Sequence, residues 1–366
     1  MKKSLVALAA LAFVGVASAQ SSVTLFGVVD AAYEHLSGSA LPGSVNKLVQ
    51  GANSSSRLGF RGVEDLGGGL NASFWLEAGL NNDSGAGANT SLNNQSTGST
   101  GGGGLTFNRR STVSLAGNFG ELRLGRDYTP TFWNKTVFDP FGTVGVGSES
   151  NLSLAVLTTA TGVRASNSVG YFLPGNLGGF YGQLMYAMGE NVSNTVNGLG
   201  QDSSSDGNYA GGRIGYANGP VNVAIAYGKT KNVATNGYSD ANIAGSWDFG
   251  VATLMAQYNQ EKVSYDPVSN TNKTYLLGVN APVGPGNIVA SYSHAKTDGN
   301  TFKANQYALG YVYNLSKRTA IYGTYAHISN SGSAGSFTTN GVPILATPTN
   351  GVGSSNGLDI GLRTSF

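Results

Sequence analysis

The chain has 366 residues and no cysteine, so no disulfide framework holds it. Charged residues make up 11%, against ~25% in ordinary globular domains, and 21 basic against 19 acidic side chains leave a formal charge of +2, too little for a nucleic-acid surface. Mean hydropathy is −0.08, and past the N-terminus no run of about 18 apolar residues occurs, which excludes a helical membrane protein.

Residues 1–19 read as a secretory signal peptide. Lys2 and Lys3 start it, an apolar run follows from Leu5 to Val16, and Ala17-Ser18-Ala19 is a small-residue cleavage site. The mature chain is expected from Gln20, as one domain over 20–366. Losing Lys2 and Lys3 reduces 21 basic residues to 19, equal to the acidic count. An exported chain without cysteine, with 55 glycines and 18 tyrosines, has the composition of a transmembrane β-barrel, whose apolar residues are diluted by polar lumen residues.

The predicted elements are strands. "VTLFGVVDAAY" (23–33) alternates first. "SRLGFRG" (56–62) follows, with Leu58 and Phe60 on one face and Arg57 and Arg61 on the other. Lipid outside and water inside satisfy both faces. Later strands are "FYGQLMYAM" (180–188), "VNVAIAYGK" (221–229), "VATLMAQYN" (251–259), "NQYALGYVYN" (305–314) and "TAIYGTYAHI" (319–328). The chain ends on "GLDIGLRTSF", which closes against the first strand and removes an exposed edge. Seven tight connectors, such as "EDLGGG" (64–69), "NGP" (218–220) and "PVGPG" (282–286), alternate with long polar ones at 34–55, 83–105, 127–162, 189–206 and 330–355. Seven hairpins and two terminal strands give sixteen strands in an up-and-down barrel with short periplasmic turns.

Of ten arginines, seven fall between positions 57 and 164. Alternation aims Arg123 and Arg110 inward with Arg57 and Arg61. Arg109 has the wrong parity and is expected at the outer rim. Arg126 shares parity with Leu124 and faces the lumen only at a bulge or strand end. The connector 127–162 carries Asp127, Asp139 and Glu149 with Phe132, Trp133, Phe138 and Phe141. An exposed loop rarely leaves so many aromatics in solvent, so it is expected to fold into the barrel and turn its acids toward the arginines.

With these residues in hand, the chain resembles the general porins of Gram-negative outer membranes, in their β-proteobacterial branch. The resemblance rests on "SSVTLFGVVDAAYE", "SRLGFRGVEDLGGGLNASFWLE", "FNRRSTVSLAGNFGELRLGRDYTP", "RASNSVGY" and "DIGLRTSF". It implies an all-β, sixteen-stranded antiparallel barrel, a homotrimer, with its third loop (127–162) folded into the lumen as a constriction. Arg57, Arg61, Arg110, Arg123 and Arg164 match the family's basic wall. Asp127, Asp139 and Glu149 lie in the matching loop, Glu77 matches an inward carboxylate, and Phe366 matches the terminal aromatic read by the barrel-assembly machinery. The implied partners are outer-membrane lipid and lipopolysaccharide, small hydrophilic solutes and anions. The "GSTGGGG" run in 83–105 is longer than the pattern leads one to expect, which weakens any subunit latch there.

The expected function is passive diffusion of small hydrophilic solutes across the outer membrane, with a preference for anions and no cofactor. A channel tuned to one nutrient anion, such as phosphate or a dicarboxylate, is the alternative. A barrel enzyme would draw on His294 or His327, but no G-x-S-x-G is followed by an appropriate acid and base, and an exported soluble adhesin would need no detergent. The histidines His35, His294 and His327 have no metal-ligand spacing.

Overall fold

The computed structural model describes residues 22–95, 99–100, 104–153, 160–193, 200, 202–232, 237–265, 268–298, 302–332, 335–339, 341, 344–345 and 352–366. The expected signal peptide and parts of the long connectors lie outside these residues.

Sixteen strands make the wall: β1 (Ser22–Ser37), β2 (Arg57–Gly67), β3 (Leu70–Asn81), β4 (Arg110–Gly117), β5 (Gly120–Tyr128), β6 (Arg164–Phe172), β7 (Phe180–Ala187) and β8 (Tyr209–Asn218) form its first half. The second half is β9 (Val221–Thr230), β10 (Tyr238–Asp248), β11 (Thr253–Tyr265), β12 (Val268–Val283), β13 (Gly286–Asp298), β14 (Phe302–Asn314), β15 (Thr319–Ser331) and β16 (Ser354–Ser365). Each pairs antiparallel with the next, and β16 pairs with β1 from Val28↔Ser365 to Ser37↔Asn356. The last residue completes the ladder: Phe366 N–H donates to the Gly27 carbonyl and Gly27 N–H to that of Phe366, both at 3.1 Å. The sheet therefore has no open edge, as a membrane-spanning sheet requires.

Alternation assigns the faces. On β9, Val223, Ile225 and Tyr227 are exposed while Ala224 and Ala226 are buried. On β14, Tyr307 and Leu309 are exposed and Ala308 is buried. An exposed apolar face all round is the face that meets hydrocarbon. Polar residues such as Asp30, Gln257, Thr274 and Gln306 take the other face.

The seven tight connectors lie between β2–β3, β4–β5 and onward to β14–β15. At the opposite end the connectors are uneven. Long ones follow β1, β3, β5, β7 and β15, whereas only two residues separate β11 from β12 and three separate β13 from β14. The strands there are longer instead; β12 has 16 residues and β13 has 13. A nine-residue helix, α1 (Pro130–Phe138), opens the third long connector. Nine residues are too few to display a helical period, and Pro130 fits a first helical position, where no N–H is needed.

Gly27 is required at the seam. A Cβ there would lie 2.4 Å from the Phe366 ring and 2.8 Å from the Arg57 carbonyl. Gly27→Val is expected to lower stability by about 1–3 kcal/mol through overpacking. The check is the temperature at which the folded band converts to the unfolded one in detergent gels, which should fall relative to the unsubstituted protein.

Candidate functional site: a basic wall and a packed loop

The basic residues are brought together by register. Arg57 and Arg61 share the inner face of β2, opposite Gly79 and Trp75 of β3. Glu77 sits beside Arg110 across β3–β4, and Ser114 beside Arg123 across β4–β5. Three acids anchor this patch. Glu77 accepts from Arg109 Nε at 2.5 Å and Trp75 Nε1 at 3.0 Å, with Arg57 Nε 3.9 Å away. Asp127 accepts from Arg123 Nη1 at 2.5 Å and lies 3.8 Å from Arg110 Nε. Glu121 takes the other side of the Arg123 fork, from Nε at 2.9 Å and Nη2 at 3.0 Å.

Aromatic rings space the guanidinium groups. Trp75 lies between Arg61 and Arg110, at 5.2 and 4.6 Å from its ring. Arg123 covers Phe172 at 3.9 Å and Arg164 covers Tyr128 at 4.4 Å. Such stacking holds cations apart while leaving their edges to water.

A cavity of about 790 Å³ adjoins the wall. Arg57, Arg109, Arg110, Arg164 and Lys135 line it with Glu77 and Asp127, and Phe132 and Trp133 close it from the loop side. Arg61 and Arg123 border the same patch through Trp75 and Asp127. Arg109 is therefore a site residue that parity placed wrongly. It precedes β4, and its N–H bonds the Glu77 carbonyl, so strand alternation does not govern it. Its side chain also donates to Tyr128 Oη at 2.9 Å, as Arg164 does at 2.8 Å. Arg126 donates to the Asn108 carbonyl at 2.5 Å and Ser166 Oγ at 2.7 Å and is not among the lining residues. Gly125, with φ of 122°, and a register shift on β6 between Ala165 and Ser168 mark the irregularity beside it.

Of the three acids expected to oppose the arginines, Asp127 meets Arg123 and Arg110, whereas Asp139 and Glu149 do not, contrary to the expectation from sequence. Asp139 accepts N–H groups of Phe141, Thr143 and Glu149 at 2.9, 3.1 and 3.1 Å, closing the loop upon itself. Glu149 is buried and accepts from Asn259 Nδ2 at 2.8 Å. Neither lines the cavity. Sequence position could not reveal this, because a loop has no alternation.

The loop instead meets the inner face of the far wall. Lys135 is buried against Asp240 at 3.0 Å and Glu261 at 2.7 Å. Asn134 donates to Asn242 Oδ1 at 2.7 Å and accepts from Arg213 Nε at 2.9 Å. Phe138 packs on Ala224 and Ala244. Pro140 lies over Gly278, where a Cβ would come within 2.3 Å of its ring. Gln306 Nε2 donates to the carbonyls of Gly147 and Ser148, and Asp359 accepts the Val146 N–H at 3.0 Å. Small inward residues leave the room, and polar ones take up the loop's backbone groups.

Burial pushes Glu149 up to about 7 and Asp139 up to about 6. Burial also opposes the Lys135 charge, but the carboxylates of Asp240 and Glu261 outweigh it and raise its pKa.

Comparisons with known proteins agree with this architecture. A family profile described as Gram-negative porin matches residues 5–333. Outer membrane porin protein 32 of Delftia acidovorans is 39% identical over 378 residues, covering 100% of both chains. The chain belongs to the Gram-negative porin family. Its barrel is similar to the anion-selective porin from Comamonas acidovorans, with a TM-score of 0.78 and 35% identity over 95% of this chain and 100% of that one. The trimer form of OmpT from Vibrio cholerae, 16% identical, shares the fold with a TM-score of 0.64 over 94% of this chain and 99% of that one. A porin of this family is a channel and resides in the outer membrane. His294 and His327 bond Asn305 and Asn356.

Lys135→Met leaves Asp240 and Glu261 buried without their cation, a change that costs about 3–5 kcal/mol. The loop is expected to leave the wall, and single-channel conductance in a planar bilayer should rise. The loop should also respond to pH. Between about pH 4.5 and 7 packed Glu149 holds a proton that a released loop has lost, so rising pH weakens packing. Amide exchange over 149–152, corrected for intrinsic rates, should speed up from pH 5.5 to 8, and Glu149→Gln should flatten that change.

Proposed function

We propose that the chain is a passive diffusion channel with a preference for anions, its selectivity set by Arg57, Arg61, Arg110, Arg123 and Arg164 together with Arg109. The observation that carries this reading is the unequal exposure of the two signs of charge. Basic groups border the cavity, while Asp30, Asp240, Glu261 and Asp359 are buried at the wall and bonded to the loops, to Lys135 or to Tyr322. Water in the cavity therefore meets a positive field despite balanced composition. Glu77 and Asp127 serve as anchors that hold the guanidinium groups in place. The segment 127–162 acts as the constriction loop; its contacts with Asn242, Glu261, Gln306 and Asp359 support that role. Asp139 and Glu149 fold and seat this loop.

The similar solved porin named as anion-selective supports the sign of the preference. The working unit is a homotrimer, Phe366 serves in assembly, and residues 1–19 are removed on export. No step requires an energy source, since solutes move down their own gradients.

The test is the reversal potential across a KCl gradient in a planar bilayer. Cl⁻ should carry most of the current. Arg57→Glu and Arg110→Glu should each cut the Cl⁻/K⁺ permeability ratio several-fold. The preference should weaken from 0.01 M to 1 M salt, as the screening length falls from ~30 to ~3 Å. K⁺ preference in the unsubstituted protein would overturn the charge assignment. Block of Cl⁻ current by millimolar phosphate or succinate would favour a channel tuned to a nutrient anion instead.

A further inference from the structure

The cavity beside the arginine wall is lined by two unlike groups of side chains. The strands and their ends supply Arg57, Arg109, Arg110 and Arg164, with Glu77 and Asp127 among them. Four guanidinium groups against two carboxylates leave a surplus of two positive charges, since Lys135, the fifth cation of the lining, is taken up by Asp240 and Glu261. The segment between β5 and β6 supplies Phe132, Trp133, Val144 and Val163. Trp133 keeps 39% of its surface exposed and Val163 36%. Apolar side chains scattered singly over a surface are ordinary, but four that line one charged cavity form a surface for a ligand. Ions and hydrophilic solutes alone would gain nothing from an indole left in water.

Tyr128 joins the two groups. Its ring stacks on Phe132, with centroids 5.2 Å apart and 25° between the planes, and meets Trp133 edge to face at 5.6 Å. Its Oη accepts from Arg109 Nη2 at 2.9 Å and from Arg164 Nη2 at 2.8 Å. Two accepted bonds fill the oxygen's lone pairs, so the phenol hydrogen is left to donate. Among the described residues it has no acceptor. The guanidinium groups also keep open donors. Arg57 uses Nη1 on the Ser55 carbonyl at 3.0 Å, and Arg109 uses Nε and Nη2. Arg57 Nη2 and Arg109 Nη1 have no acceptor among the described residues. Three open donors thus border a cavity that also presents open ring surface.

We infer that this cavity is a binding site for an aromatic monocarboxylate. The carboxylate takes the open edges of Arg57 and Arg109 and the Tyr128 O–H, bonds that a planar fork and a charged acceptor make strong. The ring of the solute lies against Trp133 and Phe132. The cavity, about 790 Å³, has the size of a small-molecule site, and such sites pair apolar surface with a few placed polar groups. Phosphate or an aliphatic dicarboxylate would use the guanidinium groups and leave the indole idle. A neutral aromatic would use the indole and leave the cations unpaired. An aromatic acid uses both. The inference rests on the channel reading above and names a class of solute that the channel admits.

The experiment is equilibrium dialysis of the folded protein in detergent against labelled benzoate, at neutral pH and low salt. Benzoate should bind at least tenfold more tightly than acetate, which lacks the ring, and than benzamide, which lacks the charge. Trp133→Ala should reduce benzoate binding to the level of acetate, and Trp133→Phe should retain most of the preference. Arg109→Gln should weaken benzoate and acetate alike. Trp247→Phe, exposed beside the tight turn after β10, should leave benzoate binding unchanged. The shift from folded to unfolded band in detergent gels checks that each variant is folded. Equal binding of benzoate and acetate, or equal benzoate binding by Trp133→Ala, would overturn the inference. So would tighter binding of succinate than of benzoate, which would assign the cavity to dicarboxylates. Reversal potentials in the bilayer are read separately. Cl⁻ preference without a preference for benzoate over acetate sinks this inference alone, whereas K⁺ preference with benzoate still bound sinks the anion preference and leaves the site.

Discussion

A peptide group in hydrocarbon has no water to bond, so a sheet that crosses a membrane must satisfy every N–H and C=O internally. Pairing of β16 with β1, down to the Phe366–Gly27 bonds, meets that constraint here. The rest follows from it. Closure makes one face of every strand outer and the other inner. Alternation then places Val, Leu, Ile and Tyr in lipid and leaves a lumen in which polar and charged groups are permitted. Mean hydropathy near zero is the average of these two surfaces.

The lumen has a second problem, because charges of one sign on facing strands repel. Two solutions appear on opposite walls. Near β2–β6, three anchoring acids and a series of rings keep the guanidinium groups separated and available. Toward β10, β11 and β16, acids are covered: Lys135 reaches Asp240 and Glu261, and loop N–H groups reach Asp359 and, at β1, Asp30. A carboxylate bonded to backbone N–H groups and packed under protein contributes little to the field in the water-filled passage. The lining field is therefore decided by burial rather than by the count of charges.

Much of this was legible in sequence, for a definite reason. A strand has period two, so Leu58 and Phe60 fix the direction of Arg57 and Arg61, and Val113 and Leu115 fix that of Arg110. The strand count followed from the tight turns. Legibility stopped where the period stopped. Arg109 lies one residue before its strand and turns to Glu77. Arg126 sits by a bulge. Asp139 and Glu149 lie in a loop, where their roles depend on which N–H groups curl around them. The partner of Lys135 was beyond reach, because Glu261 is 126 residues away and nothing local names it. Of the loop aromatics Phe138 gave a truer signal, whereas Trp133 stays exposed. Phe138 is fully buried on Ala224 and Ala244, as a phenylalanine in a polar connector suggests.

The loop joins both halves of this design. Its Phe132 and Trp133 close the cavity against the arginines, while Lys135, only two residues on, neutralises the acids of the far wall. One turn of α1 thus presents rings to one side and an ammonium to the other. The same contact that seats the loop removes negative charge from the lumen. Passage width and the sign of the field are therefore coupled through a single helix. A chain of this kind cannot widen its channel by releasing α1 without also exposing Asp240 and Glu261, which would oppose the anion preference that the arginine wall creates.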